Sequence, residues 1–228
     1  MTRFLLPLLA LFAVGAVHAE NRSVERTLAP FDVLESELPT DVAWEPGAQP
    51  KLTAVGDADL IARLKVENSG GKLRLTFPVD VMLHNQKLRI TVTSPSLREA
   101  RLSGSGDLEV RHASGASFKF DLSGSGDAVA KDLDIRRLDA TLAGSGDLTA
   151  SGKADTATLS LAGSGDIHAA DLKTREVDAK LSGSGDVHLY ASERFGGRCA
   201  GSGDIHVRGN PGKRDLRITG SCDVHYLP

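Results

Sequence analysis

Aromatic side chains and cysteines are scarce in this chain, and neither sign of charge dominates. Phe, Trp and Tyr together make up 4% of the 228 residues, so ring packing cannot build the core. The formal net charge of −3 argues against nucleic acid or an anionic lipid surface as a partner. After the N-terminal segment, no apolar run is long enough for a membrane span.

The N-terminal segment, residues 1–19, has the features of a secretory signal peptide. Arg3 supplies the positive charge, Phe4 to Val14 form a short apolar run, and Val17-His18-Ala19 provides small residues at a cleavage site. No cysteine directly follows this run at the cleavage site to carry a lipid anchor. We therefore expect residues 1–19 to be removed and the mature chain, beginning at Glu20, to be periplasmic or secreted.

The most informative feature is the tetrapeptide Gly-Ser-Gly-Asp, which recurs with a nearly constant period. The spacings between its aspartates are 20, 20, 19, 20, 18 and 19, and in the last copy Cys222 replaces the second glycine. Apolar or small residues alternate with polar ones on both sides of each copy, which predicts β-strands. The aspartates of the motif are Asp107, Asp127, Asp147, Asp166, Asp186, Asp204 and Asp223.

A strand, a glycine-containing bend, a second strand and a return, repeated in every period, describe one coil of a β-solenoid. We predict an all-β fold, a right-handed single-stranded parallel β-helix over residues 102–228, with coils stacked about 4.8 Å apart. The period excludes a left-handed hexapeptide helix, and a propeller blade needs about 40 residues. The side-chain alternation turns the glycines inward and the aspartates outward. The apolar residue before each motif should form a buried column: Leu102, Leu122, Leu142, Leu161, Leu181 and Ile218.

Residues 20–101 lack the motif but keep the alternation of apolar and polar residues. We expect them to form less regular coils of the same domain, which cap the end of the solenoid. Asn68-Ser69-Gly70-Gly71 is expected to be a turn. Asp59 is expected to cap a short helical turn that ends at Leu64.

Beyond the repeat, the sequence resembles the family called putative auto-transporter adhesin head GIN domain. The resemblance begins at Ala29-Pro30-Phe31-Asp32-Val33-Leu34 and continues through residues 55–60, 71–75 and 90–97 into the repeated Leu-Ser-Gly-Ser-Gly-Asp. It implies a β-helix-like fold in an exported bacterial protein. It brings no catalytic residues to transfer.

The aspartate column has two interpretations. Asp after glycine can accept hydrogen bonds from nearby backbone N–H groups and so cap the turn. Alternatively, carboxylates stacked about 4.8 Å apart repel one another and can be bridged by calcium. The repeat has about half the acid density of calcium-binding β-rolls, which favours the turn interpretation.

A second outward column follows, two residues after the aspartates, in four successive coils. Imidazole is a common ligand of zinc, nickel and copper, and the carboxylates of Asp186 and Asp204 lie nearby in the repeat. The alternative is that flat imidazoles stack along an exposed sheet with no ligand. The residues of this column are His168, His188, His206 and His225.

Cys199 and Cys222 occupy inward positions of successive coils. Cys199 takes the leading apolar position and Cys222 the second glycine position, and four residues of register separate them. Export permits a disulfide between them, and two buried thiols are the alternative.

No catalytic constellation stands out. Gly-Ser-Gly lacks the spacing of a nucleophile elbow, no helix follows the glycines as a dinucleotide site requires, and the acids form a uniform ladder. We therefore expect a non-enzymatic structural or adhesion-type module of the bacterial cell envelope, whose partner is a surface glycan, a protein or another envelope component. The alternative function is a periplasmic metal-binding protein that uses the aspartate and histidine columns. No cofactor other than such a divalent metal is expected.

Overall fold

The computed structural model describes residues 21–79 and 87–227, so the predicted signal peptide lies outside the described residues. These residues form strands almost throughout, with one short helix, α1 (Ala58–Arg63). The strands before the first motif are β1 (Asn21–Thr27), β2 (Val33–Ser36), β3 (Asp41–Pro46), β4 (Lys51–Asp57), β5 (Lys65–Ser69), β6 (Lys72–Thr76), β7 (Leu88–Ser94) and β8 (Glu99–Leu102). The strands after it are β9 (Leu108–Arg111), β10 (Ser114–Leu122), β11 (Ala128–Leu142), β12 (Leu148–Leu161), β13 (Ile167–Leu181), β14 (Val187–Tyr190), β15 (Arg194–Cys199), β16 (Ile205–Arg208), β17 (Lys213–Ile218) and β18 (Val224–Tyr226).

Successive repeats stack in parallel and in register. Leu122 pairs with Leu142, and Leu142 pairs with Leu161, so each coil lies directly on the equivalent position of the one before. In every coil one strand leads into the motif, the motif turns a corner, and a second strand leaves it. The predicted parallel β-solenoid is confirmed.

The glycines of the motif are required because the coils approach each other closely at this corner. A Cβ atom built on Gly146 would lie 2.0 Å from the carbonyl oxygen of Gly126, and one on Gly144 would lie 2.1 Å from that of Gly124. These distances are far below van der Waals contact, so no larger residue fits without moving backbone. The serine between the two glycines and the aspartate that follows them point outward.

The apolar column before the motifs forms the centre of the core. Leu102, Leu122, Leu142, Leu161 and Leu181 are each at most 1% exposed, and Cys199 continues the column. The prediction that Ile218 is buried is wrong, because this side chain is 44% exposed. Ile218 lies in the last coil, where no further coil stacks on it.

The N-terminal part of the chain stacks out of sequence order. The strands β2 and β3, with the corner between them, form a coil that pairs with β8 and β9 on one side. On its other side this coil pairs in parallel with β6 and β7. Antiparallel strands β5, β4 and β1 then complete the sheets at this end.

Two local predictions concern this N-terminal part. The predicted turn is present, because β5 and β6 pair antiparallel around Gly70 and Gly71, both of which have positive φ. The prediction that Asp59 caps the helix is wrong. Helix α1 begins at Ala58, and the Asp57 carboxylate accepts hydrogen bonds from the N–H groups of Asp59 (2.9 Å) and Leu60 (3.4 Å). Among residues 21–79 and 87–227, no helix has the length and apolar character needed to cross a membrane.

Candidate functional site

The aspartates of the motif form a continuous hydrogen-bonded ladder along one corner of the solenoid. One carboxylate oxygen of each motif aspartate before Asp223 accepts a hydrogen bond from the backbone N–H of the equivalent aspartate in the next coil. The distances are 2.9 Å from Asp127 N to Asp107 Oδ1 and 2.7 Å from Asp186 N to Asp166 Oδ1, and the bonds continue to Asp223 N, 3.0 Å from Asp204 Oδ1. The carboxylates therefore satisfy backbone donors of the next coil, rather than donors of their own turn as the sequence suggested.

This ladder begins one coil earlier than the motif. Asp41 Oδ1 lies 3.5 Å from the backbone nitrogen of Asp107, at the start of the same column. Sequence reasoning missed Asp41 because no glycine precedes it in the segment Ser36-Glu37-Leu38-Pro39-Thr40. At the other end of the ladder, the hydrogen bond from the N–H of Asp223 holds the pKa of Asp204 below its ordinary value, and the bond to His225 acts in the same direction.

The four predicted histidines form a stack on the sheet that follows the motif. Neighbouring ring centroids are 5.3 Å apart for His168 and His188, 4.5 Å for His188 and His206, and 5.0 Å for His206 and His225. The angles between the ring planes are 24°, 6° and 18°, respectively. His188 and His206 are thus the closest and most nearly parallel pair.

The stack brings histidines and aspartates together in two groups. One group contains Asp186, His188 and His206, whose possible ligand atoms lie within 4.8 Å of one another, and all three residues are half-buried. The other contains Asp204, Asp223 and His225, with His225 Nε2 3.4 Å from Asp204 Oδ2. His168, although predicted with these residues, belongs to neither group.

Cys199 and Cys222 form a disulfide with a Cα–Cα distance of 6.3 Å. Cys222 stands where the other coils have the second glycine of the motif. Its side chain therefore points inward and reaches the apolar column, which Cys199 continues. The bond joins the last coil, whose strand β17 is exposed along its length, to the coil before it.

A groove that the sequence did not predict lies on the sheet that precedes the motif, in the C-terminal coils. It encloses about 140 Å³, which suits a single acidic group rather than a whole drug-sized ligand. Strand β15 lines this groove with Gly196, where an added Cβ would lie 2.2 Å from Asp178 Oδ1. Asp178 in turn receives two hydrogen bonds of 3.0 Å from Arg194. The charged residues that line the groove are Asp178, Lys180, Arg194, Arg198, Asp215 and Arg217.

Three of these cations form a stacked column without acidic partners. Lys180 pairs in register with Arg198, and Arg198 with Arg217. Within residues 21–79 and 87–227, no ion pair joins any of them to a carboxylate. In the same column near the N-terminal end, by contrast, Arg101 contacts Glu35 at 3.0 Å. The lining contains four cations and two carboxylates, Asp178 and Asp215, so its formal net charge is +2 and the groove has a positive field.

Comparison with family models and known proteins gives one family and several solved structures. The model of the family described as "Putative auto-transporter adhesin, head GIN domain" matches residues 30–211. No curated protein matches the chain.

The similar structures have low sequence identity and high coverage. A putative adhesin from Bacteroides fragilis has a TM-score of 0.88 at 22% identity, with 92% of this chain and 98% of that chain covered. A putative lipid binding protein from Parabacteroides distasonis has a TM-score of 0.72 at 24% identity, with coverage of 90% and 96%. A putative adhesin from Parabacteroides merdae has a TM-score of 0.71 at 19% identity, with coverage of 92% and 97%. At these identities, the likeness shows a common fold.

Proposed function

The chain belongs to the putative auto-transporter adhesin, head GIN domain family, and we propose that it is an exported, non-enzymatic adhesion-type module of the bacterial cell envelope. The observation that carries the proposal is the positively charged groove beside Gly196. The ligand that this groove fits is an acidic surface polysaccharide. The signal peptide predicted over residues 1–19 supports export to the periplasm or beyond it.

The arrangement of the cations favours a linear acidic polymer. Lys180, Arg198 and Arg217 repeat once per coil along the solenoid axis, so they present a row of positive charges instead of a single point. The groove itself accommodates one carboxylate or phosphate group. Guanidinium groups bind such groups through paired hydrogen bonds, and Arg198 and Arg217 are free to do so.

The surroundings of the groove support binding without catalysis. The two oxygens of Asp178 are occupied by Arg194, so neither is directed at a bound ligand. The regular backbone pairing of the stacked strands makes the surrounding sheet a rigid surface. Binding to it therefore costs little conformational entropy. A static row of donors and charges suits recognition of a repeating polymer.

Binding to immobilised polygalacturonate tests the proposal, with neutral dextran as the reference surface. We expect saturable binding to the acidic polymer alone, and weaker binding as salt rises. The double variant Arg198→Gln/Arg217→Gln should weaken the affinity at least about tenfold, because each lost charged hydrogen bond is worth about 1.5–3 kcal/mol.

The matched control is Arg137→Gln/Arg208→Gln. It removes the same charge from exposed positions that do not line the groove. We expect this variant to bind like the wild type. Equal weakening by both pairs would show that binding depends on overall charge, and absence of binding by the wild type would refute the acidic polysaccharide as ligand.

A further inference from the structure

We propose that Asp186, His188 and His206 form a binding site for a divalent transition metal ion, with zinc as the ion used to test it. The site lies on the sheet that follows the motif, whereas the groove lies on the sheet that precedes it. The inference does not depend on the polysaccharide proposal, because no residue is shared between the two sites.

The three candidate ligands are held on one surface by the solenoid itself. His188 and His206 are paired in register on adjacent coils, and Asp186 lies two residues before His188 on the same face. The Asp186 carboxylate is fixed by the backbone N–H of Asp204, which donates to Oδ1 at 2.8 Å. The second oxygen of Asp186 is left for an ion, and the hydrogen bond orients it as outer partners orient metal ligands.

The ligand atoms need only a small movement to surround an ion. They lie within 4.8 Å of one another, whereas tetrahedral zinc with bonds of about 2.0–2.2 Å requires separations of about 3.3–3.5 Å. The parallel rings of His188 and His206 are 4.5 Å apart, so their nitrogen lone pairs run side by side. A tilt of the two rings towards each other makes these lone pairs converge, and side-chain rotation of half-buried residues permits it.

The chemistry of the donors selects transition metals over calcium. Two imidazole nitrogens and one carboxylate oxygen suit zinc, nickel or copper, whereas calcium prefers oxygen ligands alone. A water molecule can supply the fourth ligand on the open side.

Neighbouring residues are less suited to this role. The rings of His168 and His188 are 5.3 Å apart and inclined by 24°. This pair is therefore less well placed to bind one metal ion together. The group of Asp204, Asp223 and His225 offers only one nitrogen, and His225 already contacts Asp204. The central pair therefore gives the best set of donors in the column.

Calorimetric titration of the untagged protein with zinc chloride at pH 7.5 tests the site. We expect saturable heat with one zinc ion per chain, and no saturable heat with calcium. The double variant His188→Gln/His206→Gln should abolish the zinc heat. Asp186→Asn should weaken zinc affinity at least about tenfold, and its amide oxygen can still accept the hydrogen bond from Asp204.

The control is His225→Gln, which alters the other group and leaves the three proposed ligands. It should bind zinc within about twofold of the wild type, and circular dichroism should show that all variants keep the wild-type strand content. The proposal is wrong if the wild type gives no saturable zinc heat, or if the double variant binds like the wild type. It is also wrong if His225→Gln abolishes binding, or if calcium alone gives the saturable heat.

Discussion

Replacement of Leu142 by alanine tests the stacking of the core most directly. Leu142 is fully buried between Leu122 and Leu161, its partners in the coils on either side. The change removes apolar groups worth about 0.8 kcal/mol for each methylene and leaves a cavity between two coils that pair through their backbones. We expect the free energy of unfolding to fall by about 2–5 kcal/mol.

The same column offers a matched control in its last coil. Ile218 is 44% exposed and has a neighbour on one side only, Cys199. Because Ile218→Ala loses less buried surface and leaves no closed cavity, we expect a loss of about 1 kcal/mol. Urea unfolding followed by circular dichroism measures both variants, and Leu142→Ala should shift the midpoint several times further. Equal shifts, or a larger one for Ile218→Ala, would refute the assignment of the inner face.

Two further predictions concern the corner glycines and an acidic contact. Gly146→Ala should destabilise the protein by about 1–3 kcal/mol in urea, since its Cβ would lie 2.0 Å from a carbonyl oxygen of the preceding coil. Gly212→Ala, with nothing within 4 Å of the added atom, should leave the midpoint unchanged, and equal effects would contradict the close approach of the coils. Hydrogen bonds from Arg111 and Lys131 lower the pKa of Glu109 from 4.5 to about 2, so its stabilising contribution should be present above about pH 4.5 and disappear as the pH falls towards 2. Unfolding midpoints between pH 7 and 2 should show a shallower acid slope in Glu109→Gln than in the wild type, and an identical slope would show that these contacts do not stabilise the fold.

The repeat region could be predicted because one physical requirement recurs in every coil. The close approach of backbones at the corner requires glycine. The alternation along each strand places the following residues inside or outside. The nearly constant spacing of the motifs determines which side chains become neighbours in adjacent coils. The buried leucines from Leu102 to Leu181 and the histidine stack follow from this alternation alone. Ile218 is exposed although it occupies the inner face. The alternation predicts the face that a residue occupies, but it does not predict whether another coil covers that face.

The coil formed by β2 and β3 could not be predicted, because it has no glycine motif. Where two coils approach closely, only one of them needs glycine at the contact. A Cβ on Gly104 would lie 2.1 Å from the carbonyl oxygen of Leu38, whose own side chain is fully buried elsewhere in the core. The coil that contains Leu38 thus supplies backbone to the contact without needing glycine itself. Its pairing with β8 and β9 also skips the intervening β4 to β7, and no local pattern in the sequence indicates such a skip.

The groove could not be predicted for a different reason. Its charged residues belong to different coils and become neighbours only when the coils stack. Lys180, Arg198 and Arg217 lie one repeat apart from each other and are inconspicuous in the linear sequence. Each stands immediately before the inward residue that precedes a motif, so an alignment of the repeats at that position would have revealed three successive cations. The histidine column is conspicuous in the sequence, because each of its residues stands two positions after a motif aspartate. The motif corner separates the two columns, and each can therefore be altered without changing the side chains of the other. For this reason His188→Gln/His206→Gln should leave polygalacturonate binding intact, while Arg198→Gln/Arg217→Gln should leave the zinc heat intact.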